Sequence, residues 1–502
     1  MLRNYSKYQR AFFSKEIIVT RFASVTKLVG LLIMLFSLTL LPPYFVSLWY
    51  HDGAEWTFVL AFLITFFIGF ISWYPLYHHK YELKTRDGFL IVALAWVTLS
   101  LLAAFPIYFD TVNEISIVNA LFESVSGLTT TGATIFRHLD VLPRSILYYR
   151  QQLHLLGGLG IVVIAVAVLP MLGIGGMQLY RAETIGSVKT NRLHPRITEA
   201  AKSIWYIYLG LVIVCAICFK LAGMTYFDAI GESFSTIATG GFSMHDSSFS
   251  FYHSEFISYI AIFFMIVGAT NFSLHFQAMH QRSLSVYNDA EFKSYLKIIL
   301  AVSLIIMLVL SLFHFYANHH HVILMNVLFT VVSISSTTGF SVADYSHWPT
   351  FVPYMIMFLA MLGGCGGSTS GGIKVIRYLL LRKQGERELA QLIHPQSVIS
   401  IKLGKNTISE QVLQSVWGYV AIFVLSFIIL LLLLVASGLE LNNAFGALAS
   451  CMSNTGSAVG IVEGGFHALP TSSKWILIFS MLIGRLEIFT ILVLFMPAYW
   501  RK

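Results

Sequence analysis

Ten long apolar runs constrain the fold of this chain more than any other feature. A helix needs about 20 apolar residues to cross a bilayer, and each run is close to that length. The 502 residues would suit several soluble domains, but 57% hydrophobic residues, 11% charged residues and a mean hydropathy of +0.74 exclude that class. We therefore predict a polytopic membrane protein, with spans near residues 28–50, 57–77, 88–109, 147–172, 203–222, 256–278, 295–316, 351–381, 412–438 and 474–499.

Lysine and arginine predict the orientation of these spans. Basic residues accumulate in cytoplasmic loops, and most of the 32 Lys and Arg residues fall on one side if the N-terminus lies inside. Ten spans then place both termini in the cytoplasm. The net charge of +8 reflects this sidedness, so we expect no nucleic-acid partner. No cleavable signal peptide is predicted, because the first run is long and lacks a small-residue cleavage site.

Four Thr-Gly pairs recur in one setting along the chain, about 100 to 120 residues apart. Each pair follows a short apolar segment and precedes a polar stretch and a long apolar run. As helices the short segments extend less than ~21 Å, which is too little to cross a bilayer and suits re-entrant half-helices. The pairs are Thr131-Gly132, Thr239-Gly240, Thr338-Gly339 and Thr455-Gly456, after short segments at 115–127, 226–237, 322–335 and 441–453.

The predicted fold is an all-α polytopic membrane protein with four pseudo-symmetric repeats around a central pore. Each repeat consists of a helix, a pore helix, a filter loop and a second helix. Two further helices form an N-terminal hairpin outside the repeats. The predicted units are a cytoplasmic segment at 1–27, the hairpin at 28–80 and pore repeats at 81–200, 201–292, 293–405 and 406–502.

Threonine-glycine loops at membrane depth are suited to binding a cation. A ring of backbone carbonyls can replace the hydration shell of the ion, and four loops provide four walls. Glycine accepts positive φ, which lets successive carbonyls point toward one axis. Irregular backbone inside a membrane is tolerated only when it is buried in protein or lines a water-filled cavity. Four such loops therefore indicate a pore.

A second irregular stretch, GGCGGSTSGG at 363–372, interrupts an apolar run. The Walker phosphate-binding pattern needs Lys and then Ser or Thr directly after its last glycine, but Ile373 intervenes and Val375 follows Lys374. Flexible helix packing is one interpretation. A broken helix that lines the pore fits better, because the freed backbone groups need water.

Together these stretches resemble the TrkH family, the membrane subunits of bacterial Trk potassium uptake systems within the Trk/Ktr/HKT superfamily. The resemblance covers nearly all of the chain after residue ~25. It is carried by SGLTTTGAT (126–134), GGLGIVVIAVAVLPMLGIGGMQLYRAE (157–183), FDAIGESFSTIATGGFS (227–243), GGCGGSTSGGIKVIRYLLL (363–381), HPQSVISIKLG (394–404) and KWILIFSMLIGRLEIFTILVLF (474–495).

The resemblance implies roles for particular residues. It implies potassium binding by the filter residues Thr130, Thr131, Gly132, Ala238, Thr239, Gly240, Thr337, Thr338, Gly339, Asn454, Thr455 and Gly456. Glycine in the first loop resembles potassium-selective members rather than sodium-favouring relatives with serine there. The resemblance also implies that the 363–372 loop gates the pore beneath the filter, through Gly363, Gly364, Gly366, Gly367, Ser368, Thr369, Gly371 and Gly372.

The same resemblance implies a setting and partners. The protein would take up potassium through the bacterial inner membrane, surrounded by the lipid bilayer, as a homodimer. A cytoplasmic ring of nucleotide-binding TrkA subunits, which senses NAD and ATP or ADP, would control it. The basic stretch at 374–388 continues the broken span past the membrane face, although positive-inside topology alone could account for its charge. We expect no covalently bound cofactor and no metal other than K⁺ ions in the filter.

Two charged residues lie at membrane depth. Arg485 is expected near the midplane, where an unpaired charge costs at least ~2.5 to 3.5 kcal/mol. An ion pair with Glu487 is one alternative, but residues two apart point to different sides of a helix. We favour an Arg485 that faces the pore, bonds carbonyls of the 363–372 loop and holds this gate shut. Glu123 is expected to hydrogen-bond the first loop or to attract cations, unless it is simply exposed.

Two other classes of function remain open at this level. A secondary transporter could move a solute by rocking of inverted repeats, or carry K⁺ in symport with H⁺ or Na⁺. All four units have the same polarity, which favours a pore. An intramembrane enzyme is disfavoured, because no His/Glu metal spacing occurs within the spans and no serine has a nearby base.

Overall fold

The computed structural model of the protein describes residues 22–78, 85–110, 115–163, 194–316, 320–349, 351–404, 406–458 and 465–500. Regular structure in this part of the chain is almost entirely helical. Two short strands, β1 (Lys402–Leu403) and β2 (Asn406–Thr407), form a small antiparallel hairpin. The all-α prediction is confirmed.

The N-terminal part forms the predicted pair of apolar helices. The first is broken at residues 39 and 40, and the two prolines that follow occupy the start of the next helix, where a missing N–H does no harm. Valine and isoleucine side chains of the first helix pack against Leu90, Leu102 and Tyr499 in a small cluster of their own. The helices are α1 (22–38), α2 (Leu41–Tyr50) and α3 (Glu55–Trp73).

The rest of the chain alternates long and short helices. The elements are α4 (Thr85–Tyr108), α5 (Ile117–Leu128), α6 (Arg144–Val163), α7 (His194–Leu221), α8 (Tyr226–Ala238), α9 (Glu255–Gly268), α10 (Phe272–Gln281), α11 (Ala290–Leu312), α12 (His320–Ser335), α13 (Val352–Leu362), α14 (Val375–Ile393), α15 (Glu410–Ala436), α16 (Leu441–Met452), α17 (Thr471–Arg485), α18 (Ile488–Phe495) and α19 (Pro497–Trp500).

Four short helices, α5, α8, α12 and α16, occupy the positions predicted for half-helices. Two of them begin at a side-chain cap, in which Ser116 and Thr225 accept from the backbone N–H three residues on. Their central parts are buried, whereas long helices such as α15 expose leucine and isoleucine side chains on one face. This difference is expected if the long helices face lipid and the short ones lie inside.

Two of the predicted spans are sharply bent and are not single straight helices. The 256–278 run consists of α9 and α10, which meet at 93°, and the 474–499 run contains α17 and α18, which meet at 111°. Asn271 caps α10 at the first bend, and Glu487 takes φ 55° at the second. The described residues hold six helices long and apolar enough to span a membrane, or up to eight if each bent pair counts once. Residues 164–172 of another run lie outside the described part of the chain.

Candidate functional site

The loops after the four short helices share one backbone conformation. In each loop a non-glycine residue takes a left-handed conformation, and a glycine two residues later also has positive φ. Side chains rarely adopt this conformation, so its repetition shows that the four loops turn alike. The angles are 50° at Thr130, 51° at Thr239, 57° at Thr337 and 54° at Asn454, followed by 79° at Gly132, 90° at Gly241, 84° at Gly339 and 76° at Gly456.

This pattern corrects the register of the second loop. The sequence paired Thr239-Gly240 with Thr131-Gly132, but Thr239 has the conformation of Thr130, and Gly241 has that of Gly132. The predicted trio of Ala238, Thr239 and Gly240 therefore shifts by one residue, to 239–241. Alignment on the Thr-Gly pair gives the wrong register in this loop, because Gly240 occupies the position that is threonine in the other three loops. The dipeptide therefore does not mark the residue at which the chain turns.

The four loops close on one another in a ring. A Cβ placed on the glycine of each loop would overlap a backbone carbonyl oxygen of the next loop, and the fourth loop returns to the first. Only glycine allows this approach. The Cβ-to-oxygen distances would be 2.2 Å from Gly132 to Gly240, 2.0 Å from Gly241 to Thr338, 1.9 Å from Gly339 to Thr455 and 2.2 Å from Gly456 to Thr131.

Buried carboxylates hold the first two loops. Glu123 of α5 accepts hydrogen bonds from the Thr134 hydroxyl at 3.0 Å and the Ile135 N–H at 2.9 Å. Arg150 of α6 forms an ion pair with the same carboxylate at 2.7 Å, and both side chains are buried. Glu123 thus hydrogen-bonds the loop as predicted, and simple exposure is excluded.

The second loop repeats this contact. Glu232 of α8 accepts from the Ser243 hydroxyl and from the Met244 N–H, each at 2.8 Å. Both glutamates stand nine residues before the positive-φ glycine of their loop, at Gly132 and Gly241. The agreement supports the corrected register independently of the backbone angles.

The glycine-rich stretch forms an irregular loop between α13 and α14, as predicted for a broken helix. Its two ends are held together, because the Ile373 N–H donates to the Met361 carbonyl at 2.9 Å. Glu291 of α11 accepts from the N–H groups of Gly366 at 2.6 Å and Ile376 at 3.1 Å. This stretch lies against the ring of four loops, since a Cβ on Gly371 would be 2.1 Å from the Ser453 carbonyl oxygen.

Arg485 contacts this loop. Its Nη1 donates to the Thr369 carbonyl at 2.7 Å and its Nη2 donates to the Gly157 carbonyl of α6 at 3.1 Å. The predicted contact with the 363–372 loop is confirmed. The alternative pairing with Glu487 is wrong: Glu487 lies beyond the bend and pairs with Arg377 of α14 at 3.0 Å.

Sequence reasoning missed several charged residues of the site. Arg485 is not alone as a basic residue in an apolar segment, because Arg150 and Lys374 are also buried. Lys374 donates from Nζ to the Ser370 carbonyl inside the glycine-rich loop. The available signal was a charge within or beside an apolar run, which also marks Glu291. Among the residues that the structure describes, no group of three or more His, Cys, Asp or Glu side chains could hold a metal ion.

Comparison with known proteins finds a family and full-length relatives. The family TrkH, described as a cation transport protein, matches residues 54–502. The "Trk system potassium uptake protein TrkH" of Vibrio parahaemolyticus is 47% identical over 96% of this chain and 100% of that protein. The protein of the same name from Escherichia coli K12 is 46% identical over equal shares, and TrkG of that strain is 36% identical over 95% and 98%.

A solved structure has the same fold. The crystal structure of the potassium transporter TrkH from Vibrio parahaemolyticus superposes with a TM-score of 0.89, at 45% identity, and covers 96% of this chain and 100% of that one. Similarity of this extent confirms a transport protein rather than an enzyme. The chain belongs to the TrkH family of cation transport proteins.

Proposed function

We propose that this protein is a potassium-selective pore for uptake of K⁺ across the bacterial inner membrane. The observation that carries the proposal is the closed ring of four loops with matching left-handed turns. Relatives that share nearly half of their residues with this chain are named potassium uptake proteins, which agrees with the proposal. A continuous backbone ring favours a pore over a rocking transporter, because rocking would separate its walls.

The filter consists of the backbone of the four loops. In a narrow ring, carbonyl oxygens replace the hydration shell of the ion, and the number and placement of these oxygens set the preference for K⁺ over Na⁺. The proposed ion-binding residues are 130–132, 239–241, 337–339 and 454–456. The side of the ring that carries Glu123 and Glu232 would face the outside, and both termini would lie in the cytoplasm.

Arg485 and the 363–372 loop are the proposed gate. A buried guanidinium beside the loop would repel a passing cation, because the charge is poorly screened in a low-dielectric cavity. Its hydrogen bond to the Thr369 carbonyl would keep the loop closed at the same time. Opening therefore requires that both the loop and the side chain move.

Cytoplasmic subunits would supply that movement. α14 continues directly from the gate loop and runs for 19 residues, with basic side chains along it, to Ile393. A nucleotide-binding TrkA-like ring that pulls on this helix would act on the gate without crossing the membrane. We also propose that two copies of the chain form a homodimer around which such a ring assembles.

Flux into proteoliposomes tests the proposal. The purified protein should take up K⁺ and Rb⁺ and exclude Na⁺ and Li⁺, without an imposed H⁺ or Na⁺ gradient. Arg485→Ala should raise basal K⁺ flux in the absence of partner or nucleotide, and Arg485→Lys, which preserves the charge, should raise it less. Equal uptake of all four ions by the wild-type protein, or uptake that requires an H⁺ or Na⁺ gradient, would contradict the proposal of a selective pore.

A further inference from the structure

The 363–372 loop touches the filter through side chains, not only through close backbone packing. Thr369 lies at the centre of one contact. Its hydroxyl is 3.0 Å from both the Ile237 and the Gly268 carbonyl oxygens, and it accepts from the Thr239 hydroxyl at 3.1 Å. All of these groups are buried, so a hydrogen bond that is lost here is not replaced by one to water and its loss costs free energy. Thr239 is the left-handed residue of the second filter loop.

A second contact reaches the third loop. The Ser370 hydroxyl is 3.2 Å from the Thr337 hydroxyl, and the Gly371 N–H donates to that Thr337 hydroxyl at 2.7 Å. Thr337 is the left-handed residue of its loop, equivalent to Thr239. The left-handed residues of the second and third loops, Thr239 and Thr337, therefore both bond the glycine-rich loop through their side-chain hydroxyls.

The first and fourth loops are held by different contacts. The left-handed residue of the fourth loop is Asn454, whose Nδ2 donates to the Thr131 hydroxyl of the first loop at 2.9 Å and to the Met481 carbonyl at 3.0 Å. These bonds tie the first and fourth loops to each other and to α17. They do not involve residues 363–372.

We infer that Thr369 and Ser370 are specificity-determining residues, because they hold the second and third filter loops in their ion-binding conformation while the gate is closed. The inference rests on the proposed selective pore. When the glycine-rich loop moves, the Thr337 hydroxyl loses its bonds to that loop, and the Thr239 hydroxyl keeps only its bond to the Ala238 carbonyl at 2.7 Å. The Asn454–Thr131 bond persists. The ring then loosens on one half only, and discrimination between K⁺ and Na⁺ depends on the position of the gate.

The test separates selectivity from flux. In the purified protein without partner or nucleotide, where the gate is closed, isothermal titration calorimetry measures the ratio of the K⁺ and Na⁺ binding constants. The ratio is compared for Thr369→Val, which keeps the shape and removes the hydroxyl, and for Thr369→Ser, which keeps the hydroxyl. Loss of one buried hydrogen bond corresponds to about a fivefold change, so Thr369→Val should lower the ratio about fivefold and Thr369→Ser much less. Ser370→Ala examines the third loop independently and remains informative if a Thr369 variant does not fold.

Thr98→Val is the matched control, since its hydroxyl bonds only carbonyls of its own helix α4. It should leave the ratio at the wild-type value. Basal flux that changes in Thr369→Val and Ser370→Ala with an unaltered ratio would overturn the inference while leaving the pore intact. A wild type that does not discriminate at all would instead contradict the proposed function, so the two failures are distinguishable.

Discussion

The first and second loops of the ring contact a glutamate of the preceding short helix in the same way, but only the first of these glutamates forms an ion pair. Glu123 and Glu232 each bond a hydroxyl and an N–H just beyond their loop. Arg150 forms an ion pair with Glu123. Among the described residues Glu232 has no cationic partner; Tyr252 lies 3.4 Å from its Oε1, and its Oε2 accepts no hydrogen bond.

The difference shows that one local contact can serve two purposes. In the first loop the carboxylate and Arg150 form a neutral, buried pair whose role is structural. Arg150 also stacks on Phe242 of the second loop, 4.2 Å from the ring centroid, and so joins the two loops. In the second loop no described arginine or lysine pairs with the carboxyl group, so hydrogen bonds alone join it to the residues after the loop.

Of the substitutions that distinguish the two loops, removal of Arg150 should change the stability of the protein most. Arg150→Met leaves Glu123 buried without its partner, and breaking a buried pair in this way costs about 3 to 5 kcal/mol. Thermal unfolding of the detergent-purified protein measures the loss. The double variant Glu123→Gln/Arg150→Met should recover most of it, because no charge then remains buried. Equal melting temperatures of the Arg150→Met variant and the wild type would show that the ion pair does not stabilise the fold.

The next effect concerns the glycines of the two loops. Gly132→Ser and Gly241→Ser should each loosen the preference for K⁺ over Na⁺ about tenfold, since a side chain at positive φ costs ~1 to 2 kcal/mol and meets a carbonyl of the next loop. Gly240→Ser is the comparison for the register, and only its permeability ratio is compared, because its Cβ would overlap the buried His154 ring and so lower stability. If Gly240 rather than Gly241 governed permeability ratios as Gly132 does, the corrected alignment would be wrong.

Neutralising the unpaired carboxylate should act on conduction rather than on stability. Glu232→Gln keeps the size and the hydrogen-bonding oxygen, so we expect little change in melting temperature. If the wild-type carboxyl group is ionised, K⁺ flux through the variant should be roughly threefold below that of the wild type at low ionic strength, and this difference should shrink as salt screens the wild-type charge. The same substitution at Glu123 should instead affect stability. Identical, salt-independent behaviour of both variants would remove the electrostatic distinction between the loops.

The smallest effect is expected from a histidine after the second loop, which lies between an aspartate that follows the first loop and an aspartate of α8. Nδ1 of His245 is 2.6 Å from Asp140 and its Nε2 is 3.6 Å from Asp228. Partial burial alone would lower the pKa of His245, but the negative charges of Asp228 and Asp140 and the hydrogen bond to Asp140 outweigh it and raise this pKa. The stabilisation is therefore complete below the unfolded-state pKa of about 6.5 and is lost as pH rises through the folded-state value.

This bridge should contribute at most about 1 kcal/mol, because the groups are partly exposed. Melting temperature measured from pH 5 to 9 should fall more steeply with rising pH in the wild type than in His245→Gln. Parallel pH profiles would show that the bridge does not stabilise the folded protein.

The sequence allowed the helices to be predicted better than their contacts. Apolar runs and short segments are local patterns of neighbouring residues, so both ends of each short helix were predicted to within two residues. At the bend near Glu487 the sequence shows only two charged residues, Arg485 and Glu487, within the apolar run, and a charged residue does not predict a change in chain direction. The bond between Asn454 and Thr131 joins residues 323 positions apart, and that between Arg377 and Glu487 joins residues 110 apart. Without a fold, no local pattern pairs such residues.

Anomalous diffraction from crystals grown with Rb⁺ in place of K⁺ would locate the ions bound by the four loops. We predict a Rb⁺ peak on the axis of the ring, surrounded by backbone oxygens of residues 130–132, 239–241, 337–339 and 454–456. The peak should vanish when Na⁺ replaces Rb⁺ and should weaken in Gly132→Ser. An intact ring without a Rb⁺ peak, or a peak that lies elsewhere in the protein, would contradict the assignment of these loops as the potassium filter.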